Sequence, residues 1–133
     1  MTSAIFLLGV TAMLDCIIVG TGGFIGTVCR YLIGLIPVSE SGAFPIKTLC
    51  INIAGAFLIG LVAFWTPGGR SLDPKLLLLL RVGICGGFTT FSTFAFESFE
   101  LLHKGASLAA VLYIALSVLL GVGAIVAARA IAG

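Results

Sequence analysis

The 133-residue chain is 60% apolar and only 9% charged, with a mean hydropathy of +1.29 and a formal net charge of +2. A soluble domain carries roughly 25% charged residues, so this composition indicates an integral membrane protein and excludes a soluble domain. Because a helical span takes about 20 residues, the chain has room for at most four or five crossings. Its four cysteines lie in apolar segments without CxxC or Cys/His spacing, which indicates small core residues rather than a disulfide framework or a metal site.

Four long apolar segments follow one another along the chain, at residues 16–36, 46–66, 75–101 and 106–130. Proline, glycine and charge gather in the linkers between them, at residues 37–45, 67–74 and 103–105. The segments are predicted to be helices, because lipid offers backbone polar groups no water and the alternating pattern of barrel strands is absent. The short linkers favour antiparallel neighbours. We therefore predict an all-α integral membrane protein built as a bundle of four transmembrane helices.

The first 15 residues are apolar but too short to span a membrane, and they lack the basic region of a signal peptide. We expect residues 1–15 to form an N-terminal extension of the first helix or an interfacial segment. Residues 16–133 then form a single four-helix transmembrane domain. Asp15 is expected to anchor the first helix at the headgroups, and the alternative role is that of a proton-coupling carboxylate.

Small residues mark the places where the predicted helices approach each other, for example Gly22 and Gly26 in the first segment and Gly55 and Gly60 in the second. A subunit of only four helices has too thin an interior to enclose an aqueous path. Any transport site should therefore lie between subunits, and we expect the protein to form oligomers.

Basic residues are almost evenly divided between the two sides of the predicted bundle. One side carries Arg70, Lys75, Arg129 and Arg81, the last snorkelling from inside the third helix, and the other side carries Arg30, Lys47 and Lys104. Orientation follows the imbalance of Lys and Arg in short loops, and four against three is nearly balanced. The chain is therefore able to insert both ways, which permits an antiparallel, dual-topology homodimer.

The stretch GGFTTFSTF, residues 86–94, falls at the bilayer midplane of the third segment. Adjacent glycines weaken a helix and threonine hydroxyls bond back to carbonyls, so we predict a break in the third helix here. Irregular backbone at this depth must face protein, water or an ion. Phe91 and Phe94 follow on one helical face, and their ring edges favour an anion, although core packing is the usual role of such a pair.

Four motifs together resemble the Fluc-type (CrcB) fluoride channel family: GGFIGTVCRY (22–31), NIAGAFLIG (52–60), GICGGFTTFSTFAFE (83–97) and YIALSVLLG (113–121). The resemblance implies an antiparallel, dual-topology homodimer with two fluoride pores that exports cytoplasmic fluoride across the cell inner membrane and confers fluoride resistance. It also implies a structural sodium ion on the dimer axis, held by the backbone carbonyls of Gly86 and Thr89, and no organic cofactor. Nucleic acid is not an expected partner.

The same resemblance assigns residues to the pore and its entrance. The implied pore residues are Asn52, Phe91, Ser92, Thr93, Phe94, Tyr113 and Ser117, with Arg30 in the vestibule. Asn52 offers amide donors to a dehydrated anion, and its alternative role is an interhelical hydrogen bond. The hydroxyls have the alternative of bonding to backbone, and Arg30 that of a snorkelling anchor.

Some positions depart from the family pattern or remain open. Ala95 stands where many relatives have serine, and residues 118–125 contain no hydroxyl to continue a polar track. Glu97 matches an acidic position of the family, and we otherwise expect it near the headgroups as an exposed or salt-bridged anchor.

Other classes of function make different demands on the sequence. A small dual-topology multidrug or cation exporter has the same size but needs a carboxylate inside an apolar helix, and Asp15 and Glu97 are expected near the helix ends. A purely structural subunit leaves the midplane hydroxyls unexplained. The sequence contains no nucleophile–base pair and no metal-binding constellation, so an enzyme is the least expected class. The residues alone do not distinguish fluoride from another small anion; that choice follows from the resemblance.

Overall fold

The computed structural model describes residues 2–37, 44–65 and 72–133, with side chains from residue 9 onward in the first range. We number its helices α1 (Thr2–Gly34), α2 (Ile46–Phe64), α3, α4 (Phe91–His103) and α5 (Ser107–Ala132). Helix α3 has three consecutive parts, which are α-helical Pro74–Leu77, π-helical Leu78–Cys85 and α-helical Gly86–Phe88.

Four helical stretches are long and apolar enough to cross a membrane: Gly9–Gly34, Ile46–Phe64, Pro74–His103 and Ser107–Ala132. This confirms the prediction of an all-α protein with four spans. Helix α1 runs without interruption from Thr2, so residues 2–15 are helical and continuous with the first span. Much of the predicted linkers 37–45 and 67–74 lies outside the described residues.

Local chemistry fixes the two ends of the third span. At its start, the Asp73 carboxylate accepts hydrogen bonds from the backbone N–H groups of Lys75 and Leu76, and Pro74 occupies the first turn. At its end, Gly105 takes a positive φ of 75°, and the Ala106 N–H donates to the Leu101 carbonyl at 2.9 Å. Such a left-handed cap reverses the chain within a few residues, and α5 therefore returns antiparallel to α4.

The predicted break in the third helix is present, but its extended residues are threonines rather than glycines. Thr89 has φ −81° and ψ 160°, and Thr90 has φ −149° and ψ 113°. Gly86 keeps helical angles of φ −64° and ψ −40°, so it does not need the conformational freedom of glycine for its own backbone. The break lies between α3 and α4.

Close packing of α1 against α3 explains why several of the glycines are required. A Cβ atom built on Gly26 collides with the Ile84 carbonyl, and one built on Gly87 lies 2.5 Å from the Gly23 carbonyl oxygen. Small residues therefore allow the two backbones to touch, as is usual where membrane helices cross closely.

The buried centre of the monomer lies on the other side of the bundle, where Leu49, Leu101, Ala110 and Tyr113 pack together. Cys85 is also buried, whereas Cys16, Cys29 and Cys50 are exposed on the single chain. The expectation that all four cysteines are core residues is therefore wrong for three of them, because in lipid the exposed faces of a helix are as apolar as the packed ones.

Candidate ion pathway at the break in the third span

A cavity of about 390 Å³ opens beside the break, between α2, the third span and α5. Six of the residues predicted from the sequence for the pore or the sodium site line it, and these are Asn52, Gly86, Thr89, Phe91, Phe94 and Ser117. The other seven lining residues are Gly55, Ala56, Ile59, Cys85, Thr90, Val118 and Ile125. Chain segments far apart in sequence thus meet at one site near the middle of the bundle.

Asn52 forms two reciprocal hydrogen bonds with the backbone of Thr90. Its Oδ1 accepts from the Thr90 N–H at 2.8 Å, and its Nδ2 donates to the Thr90 carbonyl at 3.1 Å. The Thr90 N–H is thereby diverted from the Gly86 carbonyl, which is its acceptor in a continuous α-helix. The interhelical role considered for Asn52 is present, and Nδ2 retains a second proton beside the cavity.

The Thr90 side chain organises the start of α4. Its hydroxyl accepts from the Thr93 N–H at 3.2 Å, which caps the helix, and it donates to Thr93 Oγ1 at 3.0 Å. Ser92 Oγ lies 3.3 Å from the same oxygen. The hydroxyls of the predicted residues Ser92 and Thr93 therefore join a network centred on Thr90, and neither residue lines the cavity.

Aromatic rings continue from the cavity toward the start of α2. The ring centroids of Phe91 and Phe94 are 5.7 Å apart, those of Phe94 and Tyr113 are 5.3 Å apart, and Phe44 meets Tyr113 edge-on at 5.6 Å. Phe91 is 78% exposed on the single chain, whereas Tyr113 is fully buried. The row therefore begins on an open face and ends inside the bundle.

Ser117 carries a buried hydroxyl that lacks a hydrogen-bond partner in the described part of the chain. The residue lies four positions after Tyr113 on α5 and lines the cavity. A buried unpaired hydroxyl is costly, so this group is available to a water molecule or an anion that enters the cavity.

Glu97 lies deeper in the structure than the sequence suggested. Its half-buried carboxylate accepts from the Thr48 hydroxyl at 2.8 Å and from the Tyr113 hydroxyl at 2.7 Å. The expectation of an exposed or salt-bridged anchor is therefore wrong. Thr48, which the sequence analysis did not single out, lies one turn before Asn52 on α2, and Glu97 lies three residues after Phe94. This spacing was the available signal.

Arg30 reaches the break from α1. Its Nε donates to the Gly87 carbonyl at 3.3 Å, and the Thr27 hydroxyl lies 3.4 Å from the same oxygen. The guanidinium is half-buried, and its contact ties α1 to the last turn of α3. The predicted vestibule role of Arg30 stays a prediction.

The arrangement offers neutral hydrogen-bond donors and aromatic edges in a mostly apolar space, with one carboxylate beyond them. Such a site is able to hold and pass a small ion, and it contains neither a paired nucleophile and base nor a substrate-sized pocket of charged groups. Fold and site together define a multi-span membrane protein of the ion-channel and small-transporter class.

The family model described as "CrcB-like protein, Camphor Resistance (CrcB)" matches residues 17–129, and the chain belongs to this family. Several similar relatives are named "Fluoride-specific ion channel FluC". The protein of Chlorobaculum tepidum is 45% identical over 104 residues, covering 77% of this chain and 82% of the relative. That of Methanopyrus kandleri is 41% identical over 115 residues, 86% of each chain, and that of Methylobacterium sp. is 39% identical over 119 residues, 90% and 96% respectively.

Proposed function

We propose that this protein is a fluoride-selective passive channel that exports cytoplasmic fluoride across the cell membrane, which is the inner membrane in bacteria, and that it is not an enzyme. The observation that carries the proposal is the central cavity, which is lined by Asn52, Phe91, Phe94 and Ser117 and where the Ser117 hydroxyl has no partner among the described residues. The names of the relatives support the same anion.

Neutral donors suit fluoride because it is small and accepts hydrogen bonds strongly. A dehydrated fluoride must exchange its water for protein donors, and a fixed positive charge inside the cavity risks holding it too tightly. Asn52 and Ser117 supply N–H and O–H donors without charge. Ring edges of Phe91 and Phe94 add weak positive potential.

The route we propose continues from the central cavity along the aromatic row. After Phe94, an anion meets the hydroxyl of Tyr113, which at rest donates to Glu97. Fluoride must therefore replace the carboxylate as the acceptor at Tyr113 before it moves on toward the start of α2. Ser92 and Thr93 stay predicted pore residues, since their hydroxyls lie on the Thr90 network next to the entrance.

We further propose that two antiparallel copies form the functional unit, with two pores. On one chain the cavity is open on one side, Phe91 is 78% exposed and Gly86 is exposed, so a second copy is needed to enclose the route. The near balance of basic residues supports insertion in both orientations. Labelling of single cysteines from each side of the membrane, after the native cysteines are replaced, tests this. Labelling from one side alone refutes it.

A structural sodium ion between the two breaks is also a proposal. The backbone carbonyls of Gly86 and Thr89 would hold it, because the Gly86 carbonyl has lost the Thr90 N–H to Asn52 and Thr89 is extended. Carbonyls of unwound membrane helices are suitable ligands for Na⁺. The bound ion would bridge two subunits electrostatically. Replacing sodium with potassium should then weaken the purified dimer, as measured by its thermal stability.

Anion efflux from liposomes that contain the purified protein tests the proposed function. We expect passive release of fluoride and little release of chloride, and comparable release of both would refute fluoride selectivity. The alternative of a small multidrug or cation exporter predicts proton-coupled cation transport and no passive fluoride flux. In the structure the Glu97 carboxylate, which such an exporter needs to be free, already accepts two hydroxyls.

A further inference from the structure

A second recess, of about 330 Å³, adjoins the central cavity on the side of the bundle where α3 begins. It is lined by Ile59, Pro74, Leu77, Leu78, Arg81 and Val82. Ile59 also lines the central cavity, so the two spaces meet at this residue. Of the six residues that line the recess, Arg81 alone carries a charge.

Among the described residues, no carboxylate forms an ion pair with Arg81. Its side chain is exposed and has no ion pair within residues 2–37, 44–65 and 72–133. Two other basic residues described at this end have local partners. Lys75 lies 3.6 Å from the carboxylate of Asp15, and the Arg129 guanidinium lies over the Phe64 ring at 5.7 Å from its centroid.

The π-helical part of α3 sets the position of Arg81 relative to the break. The N–H of Gly86 donates to the carbonyl of Arg81, five residues earlier, as is characteristic of π-helical winding. Arg81 therefore lies one wide turn from Gly86, which lines the central cavity. The hydrogen bond from Gly86 and the shared lining residue Ile59 both place Arg81 beside the central cavity.

We propose that Arg81 forms the cationic mouth of the fluoride route, and that fluoride passes from its recess past Ile59 into the central cavity. The inference rests on the proposed function. A guanidinium stays charged at all physiological pH values, and a positive potential at the mouth of a low-dielectric cleft raises the local concentration of an anion and its rate of entry. Because Arg81 is exposed and stands outside the central cavity, it attracts fluoride without holding it at the narrow part of the route.

The occupant of the recess is fluoride rather than a lipid headgroup, because the recess meets the central cavity at Ile59. Its walls apart from Arg81 are apolar, so a phosphate there has a single cationic partner. An anion in transit needs only the positive electrostatic potential of Arg81, whereas a bound phosphate headgroup needs several hydrogen-bond donors.

Fluoride efflux in vesicles of pure phosphatidylcholine tests the proposal at ionic strengths of about 10 mM and about 300 mM, set with a large impermeant anion. We expect Arg81→Gln to lower the flux by about three- to tenfold at the low ionic strength and by less than about twofold at the high one. Arg81→Lys should keep most of the flux. Lys75→Gln is the matched control, because Lys75 lies beside Asp15. Its fluoride flux should equal that of the parent at both ionic strengths.

Elution volume in size-exclusion chromatography and thermal unfolding establish that each variant is folded and assembled. If Arg81→Gln does not fold, Arg81→Met, which keeps an apolar stem, takes its place. Three results would overturn the proposal: an unchanged flux at low ionic strength, a loss that is equal at both ionic strengths, or a loss that appears only when phosphatidylglycerol is added. The last result assigns Arg81 to a lipid headgroup. A parent protein that passes no fluoride in the same vesicles refutes the proposed function itself.

Discussion

Replacement of Asn52 by leucine tests the claim that this side chain holds the break open. The two side chains have similar size, but leucine can neither accept from the Thr90 N–H nor donate to the Thr90 carbonyl. Those bonds are 2.8 Å and 3.1 Å long, and Thr90 is buried at 9% exposure. Both backbone groups therefore lose their partners in a place that water does not easily reach.

The cost can be worked out from these two bonds. A hydrogen bond between membrane helices contributes about 0.6–1.7 kcal/mol, and a buried backbone group without a partner costs about 1–3 kcal/mol. With two such groups left unpaired, the substitution should cost about 2–6 kcal/mol, a factor of roughly 30 to 25,000 in the equilibrium between the native break and its alternatives. We expect the thermal midpoint to fall by roughly 10 °C and fluoride efflux to be almost abolished.

Two further variants make the result specific. Asn52→Asp keeps an acceptor for the Thr90 N–H but loses the donor and adds a negative charge, so it should retain more stability than leucine and still pass little fluoride. Thr21→Val removes an exposed hydroxyl that donates to the Ile17 carbonyl within α1, and it should change stability by less than about 0.5 kcal/mol. The reasoning is refuted if Asn52→Leu is as stable and as conductive as Thr21→Val.

Three other predictions address the pore, the subunit contact and selectivity. Phe91→Ile and Phe94→Ile should leave the dimer assembled and lower fluoride efflux, because they remove ring edges but keep most apolar volume; normal efflux from both would make the rings core packing. Gly86→Ala should leave the helix content measured by circular dichroism unchanged, since a Cβ there lies no closer than 3.7 Å to the Arg81 carbonyl. It should, however, weaken the dimer as measured by size-exclusion chromatography. An unaffected dimer would place Gly86 away from the two-fold axis. Glu97→Gln should raise chloride efflux relative to fluoride efflux.

The existence of the break was predictable from the sequence, whereas its exact residues were not. Paired glycines followed by paired threonines indicate a weak point in any apolar helix. The extended residues are decided by Asn52, which is 38 positions away and captures the Thr90 N–H. Gly87 is explained by a different long-range contact, the approach of Gly23 on α1. A single sequence does not show which distant side chain will compete for a backbone group.

The polar residues of the route were only partly predictable for a related reason. Spans, linkers and the phenylalanine pair follow from hydropathy and helical spacing. In a membrane, however, both the packed and the lipid-facing sides of a helix are apolar, so periodicity does not fix how each helix is rotated. The hydrogen bond between Thr48 and Glu97 was therefore not predicted. Thr48 nevertheless lies one turn from Asn52 and Glu97 one turn from Phe94, and both of those residues were predicted to line the pore. The contact of Arg30 with Gly87 was equally hidden.

Glu97 offers a physical basis for rejecting chloride. Its carboxylate accepts from Thr48 at 2.8 Å and from Tyr113 at 2.7 Å, so an anion that reaches Tyr113 arrives within about 5 Å of a like charge. At an effective dielectric constant of about 20, that repulsion is about 3 kcal/mol. Only an anion that accepts hydrogen bonds as strongly as a carboxylate can displace Glu97 from the Tyr113 hydroxyl, and fluoride does so far better than chloride. Glu97→Gln removes the negative charge and weakens the competition for the Tyr113 hydroxyl, so chloride efflux should rise several-fold while fluoride efflux changes less.

Glu100→Gln, which breaks only the exposed ion pair with Lys104 on the same helix, is the control, and its chloride and fluoride efflux should equal those of the parent. If chloride efflux from assembled Glu97→Gln stays as low as from Glu100→Gln, the carboxylate does not set selectivity, and the exclusion of chloride must arise earlier on the route, at Asn52 and the phenylalanines.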